Sequence, residues 1–551
     1  MKYIYMDMTT KKETVCPPYD KADPGSGPEQ SLQYTLDEHT LGFAELRDNC
    51  WNYTVISRHP HRTVREQEYL AGFVQGKLQG ELQLKAARNN TWNNFHLCDV
   101  SAPEKKFPRE FDPSEAELER AAACISDNYA YTWQWMDDHK TDRKAEQLLR
   151  VFFRLKGIYD ATRLVRPRMP EAEEFAPAGT PCVLHYGHDA LTFFDLYLIN
   201  TAFDVFDVMG NSTDYADGRG EHCSAFVKRL PDGNIIFTHN TWLGFLSQSL
   251  TLNVVVGNDF ISENCGCQGQ IASLVDYGFN GHGICFYETT HRYGHCEPRT
   301  KGLWMSWRAT IAELFAESVN DFYNSISLDN TGTFLNGYAA IDAHTGEMAL
   351  IEMSYKRFVY FYSEKEGKLE VTDSLDGPLS AEDYDRGLIT DTHIFGVNYP
   401  VAYSVAADLQ STDNRPLRKE QFNARIGSVK DLETARNLIT YTAPDEPLSI
   451  FGRWDLGFGT TPYPKTIADG AIDAKVFSTD KVKKLLASLT FTPNPKGGKN
   501  SFWMLFGTPK INGKPFVWSE SRWAELKAGE PIDVVPDRLE GAWNKTRLFM
   551  D

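Results

Sequence analysis

The hydrophobic period of the chain changes near residue 222, and this change is the feature that most constrains the fold. Residues 111–136 and 144–165 have apolar side chains at helical spacing. In the first segment, Ser114 and Glu117 have the spacing of a capping box. In the second, Leu148, Phe152 and Leu155 fall on one helical face. The first half of the chain is therefore predicted to be mainly helical.

Strand patterns begin at residue 223. SAFVKRL and IIFTHNTW, joined by PDGN, predict a hairpin over residues 224–242, and residues 332–363 predict two or three strands around a turn at 344–346. Helical spacing returns in residues 300–327 and 428–441. Helices mixed with antiparallel hairpins predict an α+β fold with helices on both sides of sheets.

The charge balance limits the partners of the chain. The 551 residues contain 57 Lys and Arg against 75 Asp and Glu, which gives a net charge of −18. Tight electrostatic binding to nucleic acid is not expected from such a chain, and an uncharged or zwitterionic substrate fits better. Since no stretch approaches the ~20 apolar residues of a membrane span, we expect no integral membrane segment.

The composition predicts an organisation into three parts. Residues 1–40 carry several prolines and glycines and are predicted to form an irregular N-terminal arm. Residues 41–222 are predicted to be a helix-rich N-terminal fragment. Residues 223–551 are predicted to be a nucleophile-bearing fragment with the main sheets, and the parts form one intertwined unit. The first residues lack the apolar core of a secretory signal.

Ten cysteines are too sparse for a disulfide scaffold, although a single disulfide involving Cys285 or Cys296 is compatible with the sequence. No metal and no cofactor are predicted. Four sequons are possible glycosylation sites and would suit an extracellular or lysosomal protein; they lie at Asn52, Asn89, Asn211 and Asn544.

Cys223 stands where a polar, glycine-rich segment, residues 210–222, meets the first predicted strand. A cysteine in a strand is most often a buried small apolar residue, and half of a disulfide is a second reading. The position of Cys223 favours a third reading. If the chain were cut between His222 and Cys223, the new terminus would carry a thiol and an α-amine whose reference pKa is about 8. That amine could accept the thiol proton, which is the N-terminal nucleophile arrangement.

The hairpin predicts the neighbours of this cysteine. With a two-residue turn at Asp232 and Gly233, Cys223 would pair with Trp242, which could then wall the pocket of the nucleophile. His239 would point to the other face unless a bulge re-aims it. The alternative is that His239 only occupies the end of the hairpin, where local hydrogen bonds satisfy its polar atoms.

The chain resembles the phospholipase B-like proteins of the lamina ancestor type, which belong to the N-terminal nucleophile hydrolases. The motifs that carry the resemblance span residues 222–476 in family order; they are HCSAF, HNTW, LDNTGTFLNGY, FGVNYP, NRPLRKEQFNARIGSVKDLETARNLI with the later PLS, and GAIDAKV. The resemblance implies an αββα sandwich, self-cleavage before Cys223, and two fragments that stay associated.

The resemblance also implies roles for individual residues. Cys223 would be the nucleophile, and His239 and Trp242 would line the site. Asn398 resembles the residue that donates to the oxyanion, and such a donor is worth about 3 kcal/mol of transition-state stabilisation. Arg418 resembles the arginine of the site, with Arg415 as the alternative; Asn336 is a further polar candidate.

The predicted activity is hydrolysis of acyl ester bonds, with phospholipids suggested by the family and lipid or another acylated small molecule as substrate. An N-acyl amide hydrolase or an acyltransferase is the enzymatic alternative. The second alternative is a non-catalytic member that binds lipid or protein. Two features depart from the family pattern: no signal peptide is visible, and His222 is bulkier than expected at a scissile bond. A lysosomal or secreted location is implied by the resemblance, and a cytoplasmic one remains open.

Overall fold

The computed structural model describes most of the chain. The described residues are 4–7, 12–15, 30–47, 50–98, 113–171, 174, 181–210, 223–245, 251–256, 261–273, 277–291, 293–365, 367–411, 417–443, 448–452, 469–510, 513–521 and 537–551. Within these residues no helix is both long enough and apolar enough to cross a membrane. The predicted loop at 210–222 lies outside them, apart from Gly210.

Ten helices occur in the described part of the chain: α1 Val64–Cys98, α2 Glu115–Asp138, α3 Arg143–Ala161, α4 Phe193–Val208, α5 Met305–Phe315, α6 Val319–Ile326, α7 Tyr403–Asp408, α8 Leu417–Arg425, α9 Leu432–Ile439 and α10 Thr479–Ser488. The predicted helical segments at 111–136, 144–165, 300–327 and 428–441 are confirmed by α2, α3, α5 with α6, and α9. The capping box of Ser114 and Glu117 is present at the start of α2.

The strands are β1 Ile4–Asp7, β2 Lys12–Val15, β3 Gln30–Asp37, β4 Thr40–Arg47, β5 Cys50–Ile56, β6 Cys223–Arg229, β7 Ile235–Gly244, β8 Thr251–Val256, β9 Ile261–Gly266, β10 Tyr277–Asn280, β11 Ile284–Thr290, β12 Asn336–Asp342, β13 Met348–Met353, β14 Phe358–Ser363, β15 Glu370–Asp373, β16 Gly377–Pro378, β17 His393–Gly396, β18 Asp469–Ala471, β19 Asp473–Ser478, β20 Lys499–Phe506, β21 Phe516–Val517, β22 Arg538–Leu539 and β23 Asn544–Leu548. Strands β12, β13 and β14 confirm the predicted meander around the turn at 344–346.

Two large sheets organise the strands. The first sheet has twelve strands in the order β16-β15-β14-β13-β12-β11-β10-β9-β8-β5-β4-β3. The second has seven, in the order β17-β6-β7-β19-β20-β23, with β18 paired to β7. Neighbouring strands are antiparallel except β5 and β8, which are parallel. Ten helices combined with mainly antiparallel sheets make this an α+β protein, as the sequence predicts.

The N-terminal part contributes strands as well as helices, which corrects the prediction of an irregular arm over residues 1–40. Strand β3 occupies Gln30–Asp37 of that arm and pairs with β4. Its side chains Leu32, Tyr34 and Leu36 alternate with exposed residues and pack against the core. This is the period-2 pattern of a strand with one buried face, which the prolines nearby obscured.

Helices α1 and α3 pack closely because glycines lie at their crossing. A Cβ atom on Gly72 would lie 2.0 Å from the carbonyl oxygen of Arg154, and one on Gly157 would lie 2.0 Å from that of Tyr69. No side chain fits at either position, so the two backbones meet directly. The apolar face predicted for α3 is buried there, since Leu148, Phe152 and Leu155 are inaccessible to solvent.

The two large sheets contact each other through aromatic side chains. Tyr277 of the first sheet stacks on Phe237 of the second with ring centroids 5.1 Å apart, and its hydroxyl donates to the Phe237 carbonyl at 3.1 Å. Phe279 stacks on Phe477 in the same way, with 6.0 Å between centroids. The larger of the two buried apolar clusters includes these residues, together with residues of both sheets and of the helices that cover them.

The register of the β6–β7 hairpin differs from the predicted one by a single residue. Cys223 lies opposite Thr241, and the predicted partner was Trp242. The reason is a three-residue loop, 231–233, where a two-residue turn was expected. Leu230 bonds Asn234 across it, and Gly233, with φ of 84°, donates its N–H to the Leu230 carbonyl. A left-handed glycine closing such a loop is a common hairpin geometry.

Candidate active site

The hairpin register decides which side chains share the face of Cys223. Side chains alternate across a strand, so Cys223 and the residue directly opposite it lie on one face. Thr241 and His239 of β7 therefore share the face of Cys223, whereas Trp242 lies on the other. This reverses the prediction for both His239 and Trp242. A one-residue change of register exchanges the two faces of a strand.

The backbone of Cys223 is held at both ends by side chains from distant parts of the chain. Its N–H donates to Oδ1 of Asn398 at 3.1 Å, and its carbonyl accepts from the Arg418 guanidinium at 2.5 Å. The residue itself is buried, with 4% exposure. The first residue of β6 thus lies in a polar cradle although it begins a buried strand.

Asn398 has a left-handed backbone with φ of 64°, a conformation that asparagine tolerates better than most residues. Its Oδ1 accepts from both Cys223 N and Arg418 Nη2, the latter at 2.9 Å, and its Nδ2 donates to the Thr290 carbonyl at 2.8 Å. The amide oxygen must face the two donors and the amide nitrogen must face the carbonyl, so these partners fix the orientation of the side-chain amide. The oxygen, not the nitrogen, therefore faces the Cys223 N–H, and the oxyanion role of Asn398 stays a prediction.

Arg418 connects β6 to the loop after β17. Besides its contacts with Cys223 and Asn398, its guanidinium donates to Ser224 Oγ at 3.1 Å and to the Val397 carbonyl at 2.7 Å. It also lies over the Trp242 ring, 4.8 Å from the centroid. The residue is 1% exposed. A planar guanidinium with donors fixed in a fork suits such a set of acceptors.

Trp242 belongs to the surroundings of Arg418 and does not share the face of the Cys223 thiol. Its Nε1 donates to Oδ1 of Asn240 at 2.9 Å, and the same oxygen accepts the Ser224 N–H at 3.0 Å. Gly452 packs so closely that a Cβ there would lie 2.5 Å from Cε2 of the indole. The HNTW motif therefore supplies both faces of the strand, His239 on one and Trp242 on the other.

His239 is buried between the sheets, where its ring stacks near Tyr287 with centroids 6.3 Å apart. Within the described residues, neither ring nitrogen has a side-chain or backbone partner of good hydrogen-bond geometry. Burial lowers the pKa of His239 well below its ordinary value, and the Lys475 ammonium lowers it further, while the Glu288 backbone acts weakly in the opposite direction. The imidazole is therefore neutral over the physiological pH range.

Three residues that the sequence analysis missed lie on the face of Cys223. Lys475 Nζ donates to Thr241 Oγ1 and to Asp473 Oδ1, at 2.7 Å each, and the Thr241 N–H donates to the same carboxylate oxygen at 2.8 Å. Lys475 and Asp473 are inaccessible to solvent. Burial raises the pKa of Asp473, although the ammonium opposes this. A lysine and an aspartate inside the strand pattern of GAIDAKV were the signal available in the sequence.

The remaining predicted residues lie in different environments. Asn336 is buried at the start of β12, and neither its amide oxygen nor its nitrogen has a hydrogen-bond partner within the described residues. It lies opposite Thr290, whose carbonyl binds Asn398. Arg415 and His222 lie outside the described residues, so the contacts above concern Arg418 alone.

The sequons differ in accessibility. Asn52 and Asn89 are buried, and their amide nitrogens donate to the carbonyls of Arg547 and Gly187. A glycan at either would displace these contacts. Asn544 is half-buried, and Asn211 lies outside the described residues.

The sequence allows a disulfide at Cys285 or Cys296. Cys285 is a buried thiol and not a disulfide partner, which removes the bridge allowed for it, and burial raises its pKa well above the ordinary value. Among the described residues, no three histidine, cysteine, aspartate or glutamate side chains converge in a way that could hold a metal ion.

The fold and this geometry define an α+β protein whose candidate active centre is built around a strand-initial cysteine. The sequence profile of the Phospholipase B family matches residues 43–532, so the chain belongs to that family. It is similar to "Phospholipase B-like protein G" of Dictyostelium discoideum, with 23% identity over 83% of this chain and 77% of that protein.

Two other relatives have comparable identities. "Phospholipase B-like protein D" of the same organism is 20% identical over 90% of this chain and 86% of that protein. "Phospholipase B" of Crotalus adamanteus is 24% identical over 53% of this chain and 56% of that protein.

Proposed function

We propose that this protein is a self-cleaving cysteine hydrolase of the N-terminal nucleophile type, with the αββα sandwich of that superfamily, and that it acts on acyl ester bonds of phospholipids. One observation carries the proposal. The backbone nitrogen of Cys223, which cleavage would convert into an α-amine, lies 3.1 Å from a buried amide oxygen, Asn398 Oδ1. An acceptor at that point is what an amine acting as a base needs for its orientation.

In the maturation step, the Cys223 sulfur attacks the carbonyl carbon of His222. The bond from that carbon to the Cys223 nitrogen breaks, the nitrogen takes the thiol proton, and a thioester remains. Water then hydrolyses the thioester, which releases the His222 carboxylate and restores the thiol. Arg418 holds the Cys223 carbonyl throughout, so the nucleophile keeps its place while the bond before it breaks.

In turnover, the α-amine accepts the thiol proton and the sulfur attacks the acyl carbonyl of the substrate. The alcohol leaves with the proton from the ammonium, and water hydrolyses the thioester. We assign Asn398 to holding the amine, because its oxygen faces Cys223. His239 is assigned to shaping the pocket on the thiol face, because its neutral ring lies on that face. Neither fragment needs to leave, since strands from both sides of residue 222 share one sheet.

The names of the relatives support a phospholipid ester as substrate. The lysosomal or secreted location implied by the sequence motifs is part of the proposal. An amide-bonded acyl group would meet the same nucleophile. Substrate comparison separates the two: a purified sample should release fatty acid from phosphatidylcholine vesicles faster than from an N-acyl amide of equal chain length. The reverse preference would assign the protein to amide hydrolysis.

Intact mass spectrometry tests the proposal directly. We expect wild-type protein to yield two chains, one beginning at Cys223, and Cys223→Ala to yield one. Cys223→Ser serves as the matched variant, because a hydroxyl retains a weaker nucleophile at the same position. If the wild-type chain stays intact after incubation at pH values from 4 to 8, Cys223 has no free α-amine that could act as a base. We would then assign the protein to the non-catalytic binding role.

A further inference from the structure

The cluster of Thr241, Lys475 and Asp473 lies directly beside the nucleophile, and the proposed mechanism leaves it without a role. Thr241 is the residue opposite Cys223 in the β6–β7 ladder. Directly opposed residues have Cβ atoms about 4.5–5.5 Å apart, so the Thr241 side chain is within reach of the cysteine sulfur. A threonine has few rotamers, because two heavy atoms branch from its Cβ.

A β-bulge aims Asp473 at this threonine. Residues of β18 pair with β7 as Ala471 to Trp242, whereas β19 pairs as Lys475 to His239, so one extra residue lies between the two ladders. The Ile472 N–H bonds the Thr241 carbonyl, and the Thr241 N–H bonds the Asp473 carboxylate in place of a backbone carbonyl. Bulges re-aim side chains in this way beside active sites.

Lys475 completes the cluster with a buried positive charge. Its ammonium holds the Thr241 hydroxyl oxygen and the Asp473 carboxylate at 2.7 Å each. Removing both charges from water is costly, and an apolar pair of similar volume would often be at least as stable. A fully buried lysine and aspartate next to the nucleophile are therefore poorly explained by stability alone.

We propose that Thr241, held in one orientation by Lys475 and Asp473, is a positioning residue for the Cys223 thiol. The inference rests on the proposed function. The fixed threonine side chain restricts the cysteine rotamer, so the sulfur stays aimed at the carbonyl before it and later at the acyl carbon. The Lys475 charge, one hydrogen bond behind the threonine, favours the thiolate over the thiol. Within the described residues, His239 shares this face, and Tyr287 of the facing sheet lies near the His239 ring, with 6.3 Å between ring centroids.

The test removes both charges together. Lys475→Met with Asp473→Asn keeps the volumes and keeps an oxygen for the Thr241 N–H, so folding is expected. We expect self-cleavage and kcat to fall roughly 10- to 100-fold, with KM nearly unchanged, because a misplaced nucleophile slows the chemical step. Thr241→Val, which retains shape but loses the hydroxyl, should reproduce the loss of rate, and Thr241→Ser should restore part of it.

A second cluster of a lysine, a hydroxyl and an aspartate provides the control; it has a serine in place of the threonine and an aspartate that is 16% exposed. Lys144 Nζ donates to Ser325 Oγ at 2.6 Å and lies 2.8 Å from Asp321 Oδ1, among the helices. Lys144→Met with Asp321→Asn should therefore change the melting temperature without changing cleavage or kcat. Equal effects on cleavage from both double variants would show that loss of a buried ion pair, and not its position, causes the defect.

Labelling of Cys223 gives a readout that does not depend on hydrolysis. The rate of alkylation by iodoacetamide, followed by the mass of the peptide that contains Cys223, should reach its half-maximum at higher pH in the Lys475→Met, Asp473→Asn variant. If this folded variant keeps the wild-type cleavage rate, kcat and labelling profile within twofold, the inference is wrong. A wild-type protein without cleavage or hydrolysis would refute the proposed function, while the labelling comparison still decides the inference.

Discussion

Arg418→Lys tests whether one guanidinium organises the site. The guanidinium donates to four acceptors in two segments of the chain: Cys223 O, Ser224 Oγ, Val397 O and Asn398 Oδ1. Lysine keeps the charge but carries three donors on a single nitrogen, which cannot reach acceptors spread along both edges of a guanidinium. At least two buried acceptors should therefore lose their donor.

The expected loss follows from these contacts. A hydrogen bond to a charged group contributes about 1.5–3 kcal/mol. Loss of two such bonds in a site with 1% exposure predicts a decrease of about 3–6 kcal/mol in the free energy of unfolding. Self-cleavage should also slow, because the carbonyl of Cys223 and the side chain of Asn398 are no longer held together.

Urea denaturation measures the loss best in a Cys223→Ala background, where the chain stays in one piece. Arg425→Lys is the matched control on the same helix, α8. Its guanidinium donates to Gln421 O and Tyr441 OH, and it is half-buried, so we expect a cost of about 1 kcal/mol or less. If Arg418→Lys costs no more than Arg425→Lys, Arg418 does not organise the site.

Three further outcomes are expected. Gly452→Ala should lower the melting temperature by several degrees, since the new Cβ would lie 2.5 Å from the Trp242 ring; Gly427→Ala, with open space around it, should not. Burial raises the pKa of Asp207 to about 7. The contribution of Asp207 to the free energy of unfolding, up to about 4 kcal/mol, is therefore complete below about pH 4 and is lost as the pH rises through 7. In the Asp207→Asn variant, the urea midpoint should change less with pH over that range. His239→Gln should leave the acid limb of the pH–rate profile unchanged, because the imidazole stays neutral there; a moved limb would contradict its assignment.

Much of the fold could be predicted because the relevant signals are local. The capping box at Ser114 and the helical faces of α2 and α3 depend on residues three or four positions apart, and the meander at 336–363 depends on short apolar runs on either side of a turn. The position of Cys223 at the start of a strand was predicted for the same reason. Motif order alone was enough to indicate the family, which the profile match over residues 43–532 confirms.

The predictions that were wrong concern residues in contact across strands. The predicted hairpin register was wrong by one position, because a left-handed Gly233 allows a three-residue loop that the sequence does not distinguish from a two-residue turn. That one step exchanged the faces of His239 and Trp242. The strand β3 was missed because the prolines nearby obscured its period-2 pattern, although its pairing with β4 is regular over most of its length.

The sequence by itself determined the predicted helices and hairpin, the place of the cysteine at the start of a strand and the family. Only the tertiary structure decided what surrounds that cysteine. Asn398 reaches the Cys223 nitrogen across 175 residues, and Lys475 reaches Thr241 across 234. These contacts depend on how strands from distant segments align within one sheet, and a pattern read along the chain carries no information about that alignment.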